Sequence, residues 1–119
     1  MSKISFEGIG AAVATFAVSG EVQGGQVVKV SASGTVAPCA AGDKFCGVAL
    51  EPRAGSAAVQ VKGFVTVPCT GTLTPGWAVL CADGSGGVKA AAAGSDGAAP
   101  VGVEALVVSA DIGSAVLCL

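Results

Sequence analysis

The side chains best suited to covalent chemistry in this 119-residue sequence are five cysteines, Cys39, Cys46, Cys69, Cys81 and Cys118. The sequence holds no histidine to activate them, which argues against a cysteine nucleophile. Their count is odd and no two stand in C-x-x-C spacing, so neither a disulfide framework nor a zinc site is indicated. They read as small buried hydrophobes with reduced thiols. Without His or Tyr, acid–base work would fall to eight carboxylates and five lysines. Nearly all of these sit in turns or on the wet parity of a strand. Asp43, Asp83, Asp96 and Asp111 lie far apart in sequence and show no calcium-loop spacing. Gly84 to Gly87 is glycine-rich, but Val88-Lys89 follows where a phosphate loop needs Lys-Ser and a helix, so it reads as a plain loop. Lys62 raises the idea of a swinging-arm attachment site, yet it lies inside an alternating strand and not at a hairpin tip. The expectation is a protein that is not an enzyme and carries no metal and no cofactor.

Charge narrows the partners. The formal net charge is −2 and no basic cluster occurs, so no nucleic-acid partner is expected. The longest apolar run, from Ile9 to Val18, is too short for a membrane span, and no membrane partner is expected. Glu7 interrupts the stretch after Lys3 and no cleavage site follows, which fits synthesis in the cytoplasm. Only 12% of residues are charged, against about 25% in an average domain. Lone monomers keep apolar patches small, so a surface this poor in charge implies a covering partner: a homo-oligomer or a docked assembly component.

The elements that would position any site are strands. Val59, Val61, Val65 and Val67 share one parity and Gln60, Lys62 and Thr66 the other, the period of one strand with a buried and a wet face. Gly63 interrupts the buried parity, which predicts a bulge or a close backbone approach. Phe64 stands on the otherwise polar parity, and Pro68 ends the strand or puts it at an edge. Val88 to Ala93 leads into a second loop at Gly94–Gly97, and further strands are expected at Gln26–Ser31, Thr35–Ala37, Phe45–Leu50, Trp77–Cys81, Val101–Val108 and Ala115–Leu119. Gly-rich turns separate them. Residues 11–18 are read as extended. The fold class is therefore all-β, a small β-barrel or β-sandwich of short strands. Residues 1–19 form an N-terminal arm or extra strand, and 20–119 a single β domain. A faint repeat runs through that domain. Gly25-Gln-Val-Val, Gly47-Val48 and Gly55-Ser-Ala-Ala-Val59 are echoed by Gly76-Trp-Ala-Val, Gly102-Val103 and Gly113-Ser-Ala-Val116, as two related β units packed together would give. Trp77 reads as a core residue first and an interface anchor second. Phe64 and Phe6 are the better candidates for contact with a partner chain, or else for an edge covered by the arm.

The motifs Gly24-Gly25-Gln26-Val27-Val28, Phe45-Cys46-Gly47-Val48-Ala49-Leu50, Val61-Lys62-Gly63-Phe64-Val65-Thr66-Val67, Leu73-Thr74-Pro75-Gly76-Trp77-Ala78-Val79 and Val101-Gly102-Val103, in that order, resemble a family of phage proteins. These are the small head decoration, or capsid cement, proteins of tailed phages and prophages. The resemblance covers about residues 20–119; Gln26 stands where the family often has an acidic residue. It implies a non-enzymatic β-barrel or sandwich, commonly a homotrimer, at the capsid surface of the virion. There it would bind the major capsid protein and stabilise the shell. On that reading Phe6, Phe64 and Trp77 are the oligomer or capsid contacts. A phage tail or fibre-associated adhesion module would share the low charge and all-β pattern, and would bind a cell surface or glycan instead.

Overall fold

The computed structural model describes residues 11–92 and 100–119. Ten strands make up the described chain: β1 (Ala12–Val18), β2 (Val27–Ala32), β3 (Thr35–Pro38), β4 (Gly47–Arg53), β5 (Ser56–Lys62), β6 (Phe64–Pro68), β7 (Gly76–Ala82), β8 (Val88–Ala90), β9 (Val103–Asp111) and β10 (Ser114–Cys118). The first five close into a barrel in the order β1-β3-β2-β4-β5, and the last five form a sheet in the order β6-β10-β9-β7-β8. The protein is all-β, and its first unit is a barrel.

The two units share one topology. Read from the third strand, the barrel runs β3-β2-β4-β5-β1; the second sheet, read from its eighth, runs β8-β7-β9-β10-β6. Each position differs by five. The barrel closes through a parallel contact of β1 with β3, at Ala17 with Thr35 and Val18 with Val36. An isolated parallel bridge between Cys69 and Val88 takes the same place in the second unit. The sequence echoes fall on matching points. Gly25 and Gly76, at φ 85° and 117°, launch β2 and β7. Gly55 and Gly113, at φ 85° or a little below, turn the β4–β5 and β9–β10 hairpins. Such positive φ values suit glycine because a Cβ would clash with the backbone.

Residue alternation explains how the units pack. On β2, Val28 points into the first barrel with Val22, Val36, Ala49, Ala57 and Val59. Its neighbour Val27 points the other way, into a larger core with Val65, Leu73, Leu80, Val107 and Leu117. Phe45 and Val48 join Val27 there, so the two units share that core. Backbone bonds stitch the seam: Val27 N donates to Gly86 O at 2.9 Å, Gly42 N to Ala82 O at 2.9 Å, and Ala82 N to Asp43 O at 3.0 Å.

The alternation over 59–67 holds for the valines but does not belong to one strand. Gly63, at φ 96°, breaks it into β5 of the barrel and β6 of the second sheet. Gln60, expected on the wet face, is 7% exposed. Its Nε2 donates to Lys62 O at 3.1 Å and Phe64 O at 2.9 Å, carbonyls on either side of Gly63. The side chain is buried because it satisfies backbone groups that the crossover strands. Replacing it with methionine keeps the length and removes both donors. A loss of about 1–3 kcal/mol in urea-unfolding stability is expected, the cost of removing the donor from two part-buried carbonyls.

Candidate functional site

Ladder register shows what the second sheet presents to the outside. Phe64 on β6 faces Cys118 on β10, Cys118 faces Leu106 on β9, and Leu106 faces Trp77 on β7. Directly opposed residues share a face, so these four form one row, roughly 14 Å long at three strand spacings. The intervening parity carries Val65, Leu117, Ala105 and Ala78, which point to the core. The row therefore lies on the outer face. Trp77 is 72% exposed there, while Phe64, Leu106 and Cys118 are half-buried.

Trp77 is thus not a core residue. Small neighbours on the inner parity, Ala78 and Ala105, leave the core to Leu80 and Leu117, and the indole is left outside. Phe64 does not stand alone on a polar face either, because its cross-strand neighbours are apolar. Val116 and Val79, both half-buried, extend the patch beside Thr66 and Glu104. Charge appears only towards the rim, where Glu104 opposes Val79 and Asp111 opposes Ser114. A groove of about 400 Å³, lined among others by Gln23, Gln26, Thr66, Pro68, Ser85 and Ser114, adjoins the β6–β10 edge. An apolar centre with a polar rim is the anatomy of a protein-docking surface. Phe6, the third predicted contact residue, lies outside the described residues. No family model and no curated protein matches this chain.

Sequence reasoning missed Leu106 and Cys118, since each looks like an ordinary strand residue. The signal that could have found them is parity: Leu106 and Val108 oppose Ala105 and Val107, leaving both faces of β9 apolar.

Two carboxylates, Asp43 and Asp83, hold turns of the fold. Asp43 Oδ2 accepts from Lys29 Nζ at 2.6 Å and Ala40 N at 2.9 Å, pinning the 40–43 turn. The Lys29 bond holds the Asp43 carboxyl below its usual range, and Asp43 raises Lys29 in return. Burial first, then the Asp43 carboxylate, pushes the Cys39 thiol up to about 11; burial also raises Cys46. Both thiols are protonated near neutral pH, the inert state for nucleophilic chemistry.

Asp83 organises the loop from Asp83 to Gly87. Its Oδ1 accepts from Ser85 N at 2.7 Å and Gly87 N at 3.1 Å, and its Oδ2 accepts from the Thr70 hydroxyl at 2.7 Å. Desolvation works to raise its pKa, but the bonds from Ser85, Thr70 and Gly87 together outweigh it and the value falls below 3.8. A lowered folded-state pKa favours the fold above the unfolded value, and that contribution is lost as pH falls through the folded one. Wild-type stability should therefore decline below about pH 4 more steeply than that of Asp83→Asn, which has no charge to lose there. Parallel slopes in urea titrations between pH 2 and 6 would remove Asp83 from that account.

Proposed function

We propose that this chain is a non-enzymatic structural protein of a phage virion, which decorates the capsid shell and stabilises it while associating with itself. The observation that carries the reading is the outer row Phe64–Cys118–Leu106–Trp77, apolar at its centre and charged only at its rim. Such a face on a rigid sheet suits a protein partner, and its width of four strands suits a broad, shallow contact rather than a small ligand. The sequence resemblance implies the major capsid protein as the partner and three copies about an axis as the number. Low overall charge supports a chain whose surface is covered in its working state.

The test is co-sedimentation of the purified chain with empty shells of the phage major capsid protein. Saturable binding, with a rise in the temperature at which shells rupture, is the expected result. Absence of binding to shells, with retention on host cells or their glycans, would instead identify a tail or fibre adhesion module.

A further inference from the structure

The duplicated topology offers an internal control for strand edges. Open edges expose unpaired N–H and C=O groups, and native chains guard them with charge, proline, bulges or cover. The second unit is guarded. Pro68 removes a donor from β6, the Gln60 amide occupies the Phe64 carbonyl, Lys89 sits on the short β8, and the Cys69–Val88 bridge draws the seam together. The matching edge in the first unit belongs to β1. It has the parallel contact with β3 at Ala17 and Val18 and a register shift between Ala12 and Val13, but no proline and no charge.

The direction of β1's bonds is fixed by its neighbours. Val18 N donates to Gly55 O at 3.1 Å, towards β5, while Ala17 N donates to Gly34 O at 3.0 Å, on the β3 side. Alternation then turns the N–H and C=O of Thr15 and Val13 away from β5. Pairing with β3 begins only at Ala17, so among the described residues these groups meet no strand partner. Residues 11–15 are all exposed, Val13 at 51%. No charged residue and no proline occurs from Gly8 to Gly20.

We propose that this edge is completed by a second copy of the chain, β1 against β1, antiparallel across a two-fold axis at Val13. The outward groups of Val13 would then exchange both hydrogen bonds with their own counterpart. A second β1 fits because the added strand must be uncharged, extended and itself open along one edge; β8 is three residues long and carries Lys89, and β6 is capped. The contact joins copies in pairs, so it adds to any contact that gathers them about a three-fold axis. It names the self-contact within the function proposed above but does not depend on a shell.

The experiment is light scattering on the purified full chain, with V13K and V13P beside it. Proline is tolerated at an edge when its nitrogen faces outward, and lysine is a natural edge guard, so both variants should keep the wild-type circular dichroism. Wild type should have the mass of an even number of chains, and both variants half that mass at the same concentration. V13C should form a covalent dimer on mild oxidation that wild type, with its own five thiols, does not, because opposed Cα atoms lie within disulfide reach. An odd-numbered wild-type mass, an unchanged mass in both folded variants, or no added cross-link in V13C would overturn the proposal. So would loss of association on deleting residues 1–10 alone, which would make that segment the occupant. Shell co-sedimentation run in parallel separates the outcomes: shells bound by V13K would leave decoration standing while removing or keeping this contact on the mass alone.

Discussion

Replacing Gly47 or Gly102 with alanine should each cost about 3 kcal/mol of unfolding free energy, a large share of the roughly 5–15 kcal/mol that holds a domain together. An ideal Cβ on Gly47 would lie 2.4 Å from Gln60 O and 2.9 Å from Val59 Cγ1. On Gly102 it would lie 2.4 Å from Leu80 O and 3.0 Å from Val79 Cγ1. In both cases the nearest wall is a backbone carbonyl in a ladder strand, which cannot swing aside as a side-chain end can. Relief must come from shifting β5 or β7, and Val59 and Leu80 on those strands are fully buried. The two glycines occupy the same point of the duplicated topology, the start of β4 and the residue before β9. Their penalties should therefore be similar. Gly34→Ala is the contrasting variant: its φ of 65° is unfavourable for alanine, but nothing lies within 4 Å of the added carbon. A penalty of about 1 kcal/mol is expected there from conformation alone. Urea unfolding followed by far-ultraviolet circular dichroism makes the comparison; Trp77 is too exposed to report on the core. Gly47→Ala within about 1 kcal/mol of wild type would mean that the close approach carries no such weight.

These glycines also show what the sequence makes legible. Gly-Val at 47 and at 102 marks the start of a strand pair, and the spacing of Gly25, Gly47 and Gly55 against Gly76, Gly102 and Gly113 follows the repeated topology. Glycine is readable because few positions demand it. Parity was equally readable: Val59, Val65 and Val67 are all buried. What alternation does not carry is the identity of the neighbouring strand. Gly63 interrupts a period of two in the same way whether it makes a bulge or sends the chain into another sheet, and here it does the latter. Gln60 illustrates a second gap. A polar side chain on the wet parity is expected outside unless backbone acceptors await it, and those acceptors exist only once the crossover has formed. Trp77 illustrates a third. Its large apolar area predicts burial against something, and sequence alone favours the chain's own core. The outer row became visible only when register aligned residues from β6, β7, β9 and β10, separated by up to 54 positions between Phe64 and Cys118.

Trp77→Ala should leave the fold intact and weaken shell binding by roughly 30- to 1,000-fold, the range for losing about 2–4 kcal/mol at an interface hot spot. The separation of the two effects follows from exposure. At 72% exposed, the indole contributes little to the core that Leu80 and Leu117 fill, so melting should change little. At an interface the same surface would be removed from water, and tryptophan dominates such contacts because of its area and rigid shape. Leu106→Ala should behave differently. Leu106 is half-buried beside Trp77, so its truncation should lower both stability and binding. Ile112 provides the control. It is 95% exposed at the tip of the β9–β10 hairpin, more apolar to the eye than anything in the row, yet it lies outside it. If binding follows the row, Ile112→Ala co-sediments with shells as wild type does. If binding merely follows exposed apolar area, Ile112→Ala is the worse of the two. Loss of binding in Ile112→Ala with retention in Trp77→Ala would move the docking surface from the sheet face to the hairpin tip.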